Sequence, residues 1–332
     1  MMKPLLAFVD HSFHQKTHSG DFLRKIFAQH FTIVDFWDDS WRGGQMVTAA
    51  EINQSGCTAV FFFQSLMPFA ELRRLQVHVM WAPMYDGVHT YGKSFWLELL
   101  TIPMTILSFC RTLHEQLQGY GLSTHYFQYW IDPGSLPPQP DYESNRVFFW
   151  QRSDITWQQV KQLIGQQQIA QCILKIDPDD DGFKAVYPSD QDMTDYHIEL
   201  VQGTIAAEQY RKLLQRSNIF IAPRYYEGIG MASLEALGMG MLVIGSDHPT
   251  LNEYIQSGTN GWLYSDVTQP LPSLNLAQLG EQAHQDALMG WQQWQAQTDA
   301  VLQLMIEPAK PARPLRYSER VYLAYCRLTG RI

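Results

Sequence analysis

The chain alternates short apolar runs with segments of helical spacing, and this alternation restricts its fold more than any other feature. Leu5–Val9, Thr32–Trp37 and Ala59–Phe63 are long enough for buried strands and too short for typical helices. Between the first two runs, Phe22–His30 places apolar residues at helical intervals. Strands that alternate with helices imply right-handed crossovers and a mostly parallel sheet. We therefore predict an α/β fold.

A proline-rich stretch divides the chain into two similar halves. Four prolines lie within residues 133–140, which is typical of a linker, and the alternation restarts at Arg146–Trp150. Ligands of open α/β sheets bind at the carboxyl ends of the strands, so we expect the pocket in a cleft between two Rossmann-like domains. The predicted parts are an N-terminal domain 1–135, a linker 136–145, a second domain 146–315 and a C-terminal helix 316–332 that packs on the first domain.

The C-terminal part of the chain is rich in glutamine and should be helical. We predict two glutamine-rich helical stretches, a proline-rich turn and a last helix at Tyr317–Leu328. Trp291 and Trp294 are spaced to lie on one helix face, and we expect them to pack in a core or between the domains.

The net charge and the cysteine spacing argue against several classes of function. The 24 basic and 33 acidic residues give a net charge of −9, which argues against a general nucleic-acid or anionic-membrane surface but leaves room for a local anion site. The four cysteines lie far apart, as expected in a reducing compartment without structural zinc. We find neither a signal peptide nor an apolar run of about 20 residues, so we expect a cytoplasmic protein.

Two clusters could suggest a metal site, but we predict none at either. The acidic run 177–181 lacks a following glutamate at the spacing of a calcium loop, so we interpret it as a solvated turn. The residue types of His11, His14 and His18 and their closeness in the sequence are compatible with metal binding. We nevertheless expect these histidines to be exposed or to face a ligand.

The segment 219–264 carries the most chemical information. A buried strand ends at Pro223, and after a short loop Gly228 and Gly230 open a helix. A glycine-bearing loop that leads into a helix N-terminus offers backbone N–H groups and a positive dipole end to phosphate. Glu227 and Glu235 would repel phosphate, but carboxylates accept hydrogen bonds from hydroxyls. The pattern predicts a ligand with both phosphate and sugar hydroxyls.

This segment resembles the C-terminal domain of retaining GT-B glycosyltransferases. The similarity is to the large Glu-x7-Glu group, which is glycosyltransferase family 4-like and includes sucrose synthase and bacterial polysaccharide transferases. The matching elements are Pro223, the turn Glu227-Gly228-Ile229-Gly230, the pair Glu227 and Glu235, the helix Glu235-Ala236-Leu237, the strand Val243-Ile244-Gly245 and the turn Gly258-x-Asn260-Gly261. Weaker similarity covers Ile198–Leu214 and Ile106–Pro133, so we expect the GT-B fold.

The resemblance implies a role for each matching residue. Glu235 would bind the ribose hydroxyls of the donor, and Glu227 would position the transferred sugar without acting as a nucleophile. His89 would touch that sugar, with Asp86 as the alternative if the register differs. The other implied donor-binding residues are Gly20 near the phosphates, Gly228, Ile229, Gly230 and Met231 through their backbone, Thr204 near the base, and Arg152 at the diphosphate.

The sequence departs from the family at one cation. The family usually has a lysine five residues after the position of Arg152, and Trp157 stands there. The nearest lysine is Lys161, one helical turn further on. We hypothesise that Arg224 replaces the missing cation, because arginine makes bidentate contacts to phosphate.

The resemblance implies a retaining, metal-independent glycosyltransferase without a cofactor. It would move a sugar from a nucleotide-diphosphate sugar to a glycan or lipid-linked acceptor of a surface polysaccharide, with at most peripheral membrane contact. The alternatives are a nucleotide-sugar epimerase of similar architecture, which needs no acceptor, and a non-catalytic GT-B binding module. The net charge counts against a DNA glucosyltransferase.

Overall fold

The computed structural model describes residues 2–165, 167–178 and 182–329. These residues form two compact units. Unit 1 comprises residues 1–128 and 294–332, and unit 2 comprises residues 129–293. In the described ranges, no helix is long and apolar enough to cross a bilayer.

Unit 1 is built on a six-stranded parallel sheet of order β2-β1-β3-β4-β5-β6. Its strands are β1 (Leu5–Asp10), β2 (Thr32–Trp37), β3 (Ala59–Phe63), β4 (His78–Ala82), β5 (Thr105–Ser108) and β6 (Thr124–Tyr126). Its helices include α1 (His14–Thr17), α2 (Asp21–Phe27), α3 (Ala49–Gln54), α4 (Phe69–Leu72), α5 (Tyr85–Val88), α6 (Lys93–Leu99) and α7 (Arg111–Tyr120). All five side chains of β3 are buried, as expected for a strand covered on both faces.

Unit 2 repeats this architecture with the order β12-β11-β10-β7-β8-β9, again parallel throughout. Its strands are β7 (Arg146–Gln151), β8 (Gln171–Ile176), β9 (Ile198–Gln202), β10 (Ile219–Ile221), β11 (Leu242–Ser246) and β12 (Trp262–Tyr264). Its helices are α8 (Trp157–Ile164), α9 (Asp190–Asp195), α10 (Ala207–Gln215) and α11 (Met231–Gly238), followed by the beginning of α12 (Leu276–Ile306). Two parallel α/β sheets confirm the predicted fold class.

The C-terminal part differs from the prediction, because the two glutamine-rich stretches form the single helix α12. Glycines inside this helix allow close packing that any side chain would prevent. A Cβ at Gly280 would lie 2.1 Å from the carbonyl oxygen of Gly240, and one at Gly290 would lie 2.4 Å from the Trp130 ring. The last helix, α13 (Tyr317–Leu328), has the predicted bounds.

The unit boundaries also differ from the predicted domains. Residues 129–135 belong to unit 2, and the return to unit 1 occurs at Trp294, inside α12, rather than at residue 316. The predicted linker 136–145 belongs to unit 2, where Gly238 and Gly240 leave room for it. The Tyr142 hydroxyl donates to the Gly240 carbonyl oxygen (2.8 Å), and a Cβ at Gly238 would lie 2.6 Å from Leu136.

Trp294 confirms the expected core packing. It is 2% exposed and meets Phe22 and Phe109 of the same unit with ring centroids 5.8 and 6.3 Å apart. The segment Tyr85–Val88, which precedes the candidate residue His89, forms the short helix α5.

Candidate functional site

The strand order of unit 2 favours a ligand crevice at the carboxyl ends of β7 and β10. The two strands are neighbours, but the chain runs from β7 through β8 to β9 before it returns to β10 on the other side. Ligands of open parallel sheets bind at such a reversal. The amide of Ile155 donates to the Pro223 carbonyl oxygen (3.3 Å), and that of Tyr225 donates to Asp154 Oδ2 (3.2 Å). The segment that contains Arg152 and the loop after β10 therefore meet at this edge.

The loop 223–230 is held in place by buried hydroxyl groups. Thr250 is fully buried, and its Oγ1 lies 2.8 Å from the carbonyl oxygen of Glu227 and 3.0 Å from that of Gly228. Ser246 Oγ donates to the Tyr225 carbonyl oxygen at 2.6 Å. These bonds hold the backbone on either side of Glu227. They therefore also hold the position of the Glu227 Cα atom, from which the side chain extends.

The N-terminus of α11 has the features of an anion site. Gly230 precedes it with φ of +78°, a conformation that favours glycine, and its site for a Cβ lies 3.6 Å from Glu227 Cγ. The first amides of a helix have no partner within it and lie at the positive end of its dipole. Ser233 stands in this turn, is 1% exposed, and its Oγ has no hydrogen-bond partner within the described part of the chain. The amides can serve an anionic ligand, and the Ser233 hydroxyl lies in the same helical turn.

Glu235 lies in the middle of α11 with an unusual charge environment. Burial raises the pKa of its carboxyl group to about 7, although the positive charge of Arg211 opposes the shift. Burial and the Glu235 carboxylate raise the pKa of Tyr210, while Arg152 lowers it. The three groups are therefore within electrostatic range. The Tyr210 hydroxyl is buried without a hydrogen-bond partner among residues 2–165, 167–178 and 182–329. The Glu235 carboxylate can accept hydrogen bonds from ligand hydroxyls, and the Tyr210 hydroxyl can donate hydrogen bonds to them.

The cations beside β7 gather around Trp150. The guanidinium carbon of Arg152 lies 4.3 Å from the centre of the Trp150 ring, and Lys175 Nζ lies 4.0 Å from it. Lys175 is 1% exposed and also bonds Asp177 Oδ2 at 2.6 Å. Arg152 thus lies just past the carboxyl end of β7 and packs on the indole of Trp150.

Lys161, the lysine nearest to the family position, is paired with a carboxylate within unit 2. Its Nζ lies 2.5 Å from Asp192 Oδ1, and this carboxylate raises the pKa of the lysine. Trp157, at the family position, is fully buried in the core of unit 2. Arg224 lies in the crevice loop, half-buried, and remains the predicted second cation.

Thr204 lies on the exposed turn after β9, at the same edge of the sheet. Its Oγ1 is 3.5 Å from Asp177 Oδ1, and the preceding Gly203 amide donates to the Ile176 carbonyl oxygen at 2.9 Å. The structure therefore brings Arg152, Thr204, Arg224 and the Glu227–Glu235 segment to one edge of unit 2. Ile229, Gly230 and Met231 lead directly into α11 there.

The predicted site residues of unit 1 lie after β1 and β4. Gly20 is buried at the start of α2, where a Cβ would lie 3.2 Å from Asp10 Oδ2 and 2.5 Å from Arg24 Nη1. His89 ends α5, and its Nδ1 lies 2.9 Å from the carbonyl oxygen of Asp86. A carbonyl oxygen only accepts, so Nδ1 carries the proton and Nε2 is the acceptor nitrogen of the neutral ring. The roles of Gly20, His89 and Asp86 stay predictions.

The histidine cluster is only partly exposed. His18 is exposed, as expected, but His14 is 7% exposed and its Nδ1 lies 2.6 Å from the buried Asp10 Oδ1. One ligand atom each from Asp10, His11 and His14 lies within 4.8 Å of the others. Arg24 also contacts Asp10, at 3.3 Å, so a guanidinium already balances this carboxylate. In the acidic run, residues 179–181 lie outside the described residues.

Sequence reasoning missed three residues of the crevice, namely Tyr210, Ser233 and Thr250. Ser233 had a signal, since it stands in the first turn of the helix whose N-terminus was predicted to bind phosphate. Tyr210 and Thr250 had none, because their approach to Glu235 and Glu227 depends on how α10 and the turn after β11 pack.

A family match covers this edge of unit 2. Residues 197–270 match the family model described as Glycosyl transferases group 1. The matched segment runs from β9 past β12 and contains Tyr210, the loop 223–230, α11 and Thr250. A curated relative, the sucrose synthase of Melioribacter roseus, is 36% identical over 64 residues. That match covers 19% of this chain and 8% of the relative, so the chain spans a small part of the relative's length.

Solved structures share the fold over nearly the whole chain. A glycosyltransferase from Rickettsia africae ESF-5 has a TM-score of 0.59 at 12% identity, with 91% of this chain and 98% of that chain covered. The lipopolysaccharide outer core galactosyltransferase WaaB in its apo form has a TM-score of 0.54 at 11% identity, with 97% and 99% covered. The fold is therefore GT-B. Together with the match to the group 1 model, it supports glycosyl transfer as the chemistry of the chain.

Proposed function

We propose that the protein is a retaining glycosyltransferase that takes its sugar from a nucleoside-diphosphate sugar. The observation that carries the proposal is the N-terminus of α11, where a buried, unsatisfied Ser233 hydroxyl (within the described residues) accompanies the first amides of the helix. Two carboxylates, Glu227 and Glu235, flank this anion site at the mouth of the helix and in its middle. Such a site suits a ligand in which a diphosphate joins two groups that carry hydroxyls.

Each residue has a role in this proposal. The α11 amides and Arg152 stabilise the charge that develops on the leaving diphosphate, with Arg224 as the second cation. Glu235 accepts hydrogen bonds from the ribose, and Glu227 positions the transferred sugar. This arrangement supplies the electrostatic stabilisation from protein groups, so we propose a metal-independent reaction.

The proposed transfer needs no protein nucleophile. The bond between the anomeric carbon and the diphosphate oxygen breaks, and the acceptor hydroxyl oxygen bonds the same carbon on the same face. The acceptor proton passes to a phosphate oxygen of the leaving group. Retention follows from attack on that face. WaaB, which has the same fold, is named as a galactosyltransferase of the lipopolysaccharide outer core. For this chain we propose a glycan or lipid-linked acceptor of a surface polysaccharide.

Ligand-induced stabilisation of the folded chain tests the donor site. We would measure melting temperatures with UDP, GDP, ADP, TDP and CMP for the wild type, Glu235→Ala and the control Glu208→Ala. Glu208 is an exposed helix glutamate, so its loss should leave binding unchanged. A ligand that binds only the native state raises the melting temperature. We expect one diphosphate to stabilise the wild type and the control but not Glu235→Ala.

Activity assays with the nucleotide sugar that the panel identifies separate the alternatives. A product formed from the donor alone, without any acceptor, would favour an epimerase. Diphosphate binding without turnover of any donor would favour a binding module. Stabilisation by none of the five nucleotides would contradict a nucleotide-sugar donor.

A further inference from the structure

The last helix presents an apolar face to solvent. In α13 only Leu323 and Cys326 are buried. Four side chains at positions i, i+4, i+8 and i+11 are exposed by 84, 51, 50 and 89%, and these are Tyr317, Val321, Tyr325 and Leu328. Residues at these intervals lie along one face of a helix. Isolated apolar side chains on a surface are ordinary, but a continuous stripe marks an interaction site.

The helix is held so that this stripe points outward. Leu323 packs with Leu97 and Leu100 of unit 1. Arg327 Nη2 donates to both carboxylate oxygens of the buried Glu98, at 3.0 and 2.8 Å. A salt bridge between Arg313 and Glu319 (2.8 Å) fixes the first turn. The exposed stripe is therefore a formed feature of unit 1 and needs no rearrangement to be presented.

Cations border the stripe. Arg316 and Arg320 follow one side of the helix at an interval of four, and both are exposed. On the other side, Lys93 Nζ lies 5.3 Å from the centre of the Tyr322 ring. The segment 309–329 holds five basic residues and one acidic residue, in a chain whose net charge is −9. The net charge of this segment thus has the opposite sign from that of the chain as a whole.

We propose that α13 docks the protein on an anionic lipid surface, lying in the plane of the headgroups. Basic amphipathic helices bind there through apolar side chains inserted at the acyl boundary and cations placed among anionic headgroups. Tyrosine suits this depth because its ring is apolar and its hydroxyl stays hydrated. The charge argument favours this occupant over a second copy of the chain, which carries the same basic border and would repel it.

Vesicle co-sedimentation tests the proposal without any assay of transfer. The full chain would be mixed with vesicles of phosphatidylcholine alone and of phosphatidylcholine with phosphatidylglycerol. We expect binding to the anionic vesicles only, and we expect added salt to weaken it. The double variant Tyr317→Ser/Leu328→Ser should abolish it. Arg316→Gln/Arg320→Gln should weaken it roughly thirtyfold, since each cation near such a surface contributes about a factor of five.

The controls separate lipid binding from other outcomes. Tyr187→Ser and Met289→Ser remove side chains exposed by 57 and 52% outside α13, and they should leave vesicle binding unchanged. Melting temperatures of all variants verify folding. Failure to bind anionic vesicles, or equal binding to neutral ones, would overturn the proposal. A dimer in light scattering that the apolar double variant dissociates would instead identify a second copy as the occupant and overturn lipid docking. None of these results depends on whether the chain transfers sugar.

Discussion

The hydroxyl of Thr250 donates to the carbonyl oxygen of Glu227 at 2.8 Å, from a side chain that is fully buried. This bond joins the turn after β11 to the loop whose carboxylate we propose to face the sugar. Replacing Thr250 by valine keeps the shape and removes the donor, so Glu227 and Gly228 lose a partner for their carbonyl oxygens. An unsatisfied buried carbonyl group costs about 1–3 kcal/mol.

We therefore expect Thr250→Val to weaken diphosphate binding about tenfold, together with a modest loss of stability. Isothermal calorimetry measures the first effect and urea unfolding the second. Thr259→Val, at an exposed position of the next turn, is the matched control. Unchanged affinity in Thr250→Val would mean that the loop does not depend on this bond for its binding geometry.

The strands of both units could be predicted because their pattern is local. Thr32–Trp37 and Ala59–Phe63 have the predicted bounds, since short and mainly apolar runs can be recognised without tertiary information. The long helix α12 could not be predicted in one piece. Gly280 and Gly290 look like breaks in the sequence, and only the packed Gly240 and Trp130 explain why they are tolerated inside a helix.

Some residues of the candidate site could likewise be predicted from the sequence, and others could not. Glu227, Glu235 and the glycines between β10 and α11 share one segment, so their spacing carried the information. The hydroxyl of Tyr210 approaches Glu235 from another helix, and Lys161 pairs with Asp192 from α9. Such partners depend on how helices pack, which no local pattern encodes.

The carboxyl group of Glu235 should make stability depend on pH near neutrality. Its pKa is raised by burial to about 7, so between its ordinary value near 4.5 and about 7 the folded chain binds more protons than the unfolded chain. The contribution of Glu235 to stability is therefore present at pH 4.5 and is lost as the pH rises through 7. Glu235→Gln removes this dependence.

We expect the wild type to lose about 2 kcal/mol relative to Glu235→Gln between pH 5 and pH 8, at 1.36 kcal/mol for each pKa unit and with a discount for residual exposure. Urea unfolding at several pH values measures the difference. Glu208→Gln, in the exposed α10 position, should follow the wild type throughout. Parallel curves for the wild type and Glu235→Gln would contradict the raised pKa.

The buried carboxylate of Asp192 should make stability depend on pH in the opposite direction from Glu235. Burial alone would raise its pKa, but hydrogen bonds from Lys161, the Ser189 amide and Trp157 outweigh burial and lower the pKa to about 2. A lowered pKa stabilises the fold above the ordinary value near 3.8, and that contribution disappears as the pH falls towards 2. Asp192→Asn should cost about 2 kcal/mol at pH 7 and little at pH 2. Thermal unfolding measures both, with the exposed Asp195→Asn as control.

Glu98 should decide whether α13 stays on unit 1. Its buried carboxylate lies between Arg73 and Arg327, and although burial raises its pKa, the two guanidinium groups lower it overall. Glu98→Gln leaves both cations beside a neutral amide, which should cost about 2 kcal/mol and loosen the helix. Since the folded pKa is depressed, the loss should be present at pH 7 and shrink as the pH falls below the ordinary glutamate value.

Hydrogen exchange of residues 317–328 measures the loosening directly. We expect faster exchange there in Glu98→Gln, while the amides of β10 and β11 in unit 2 keep their protection. Glu115→Gln, at an exposed position of α7, is the matched control and should exchange like the wild type. If exchange in α13 were unchanged, the contacts of Leu323 and Cys326 alone would suffice to hold the helix, and the Glu98–Arg327 pair would be dispensable for presenting its outer face.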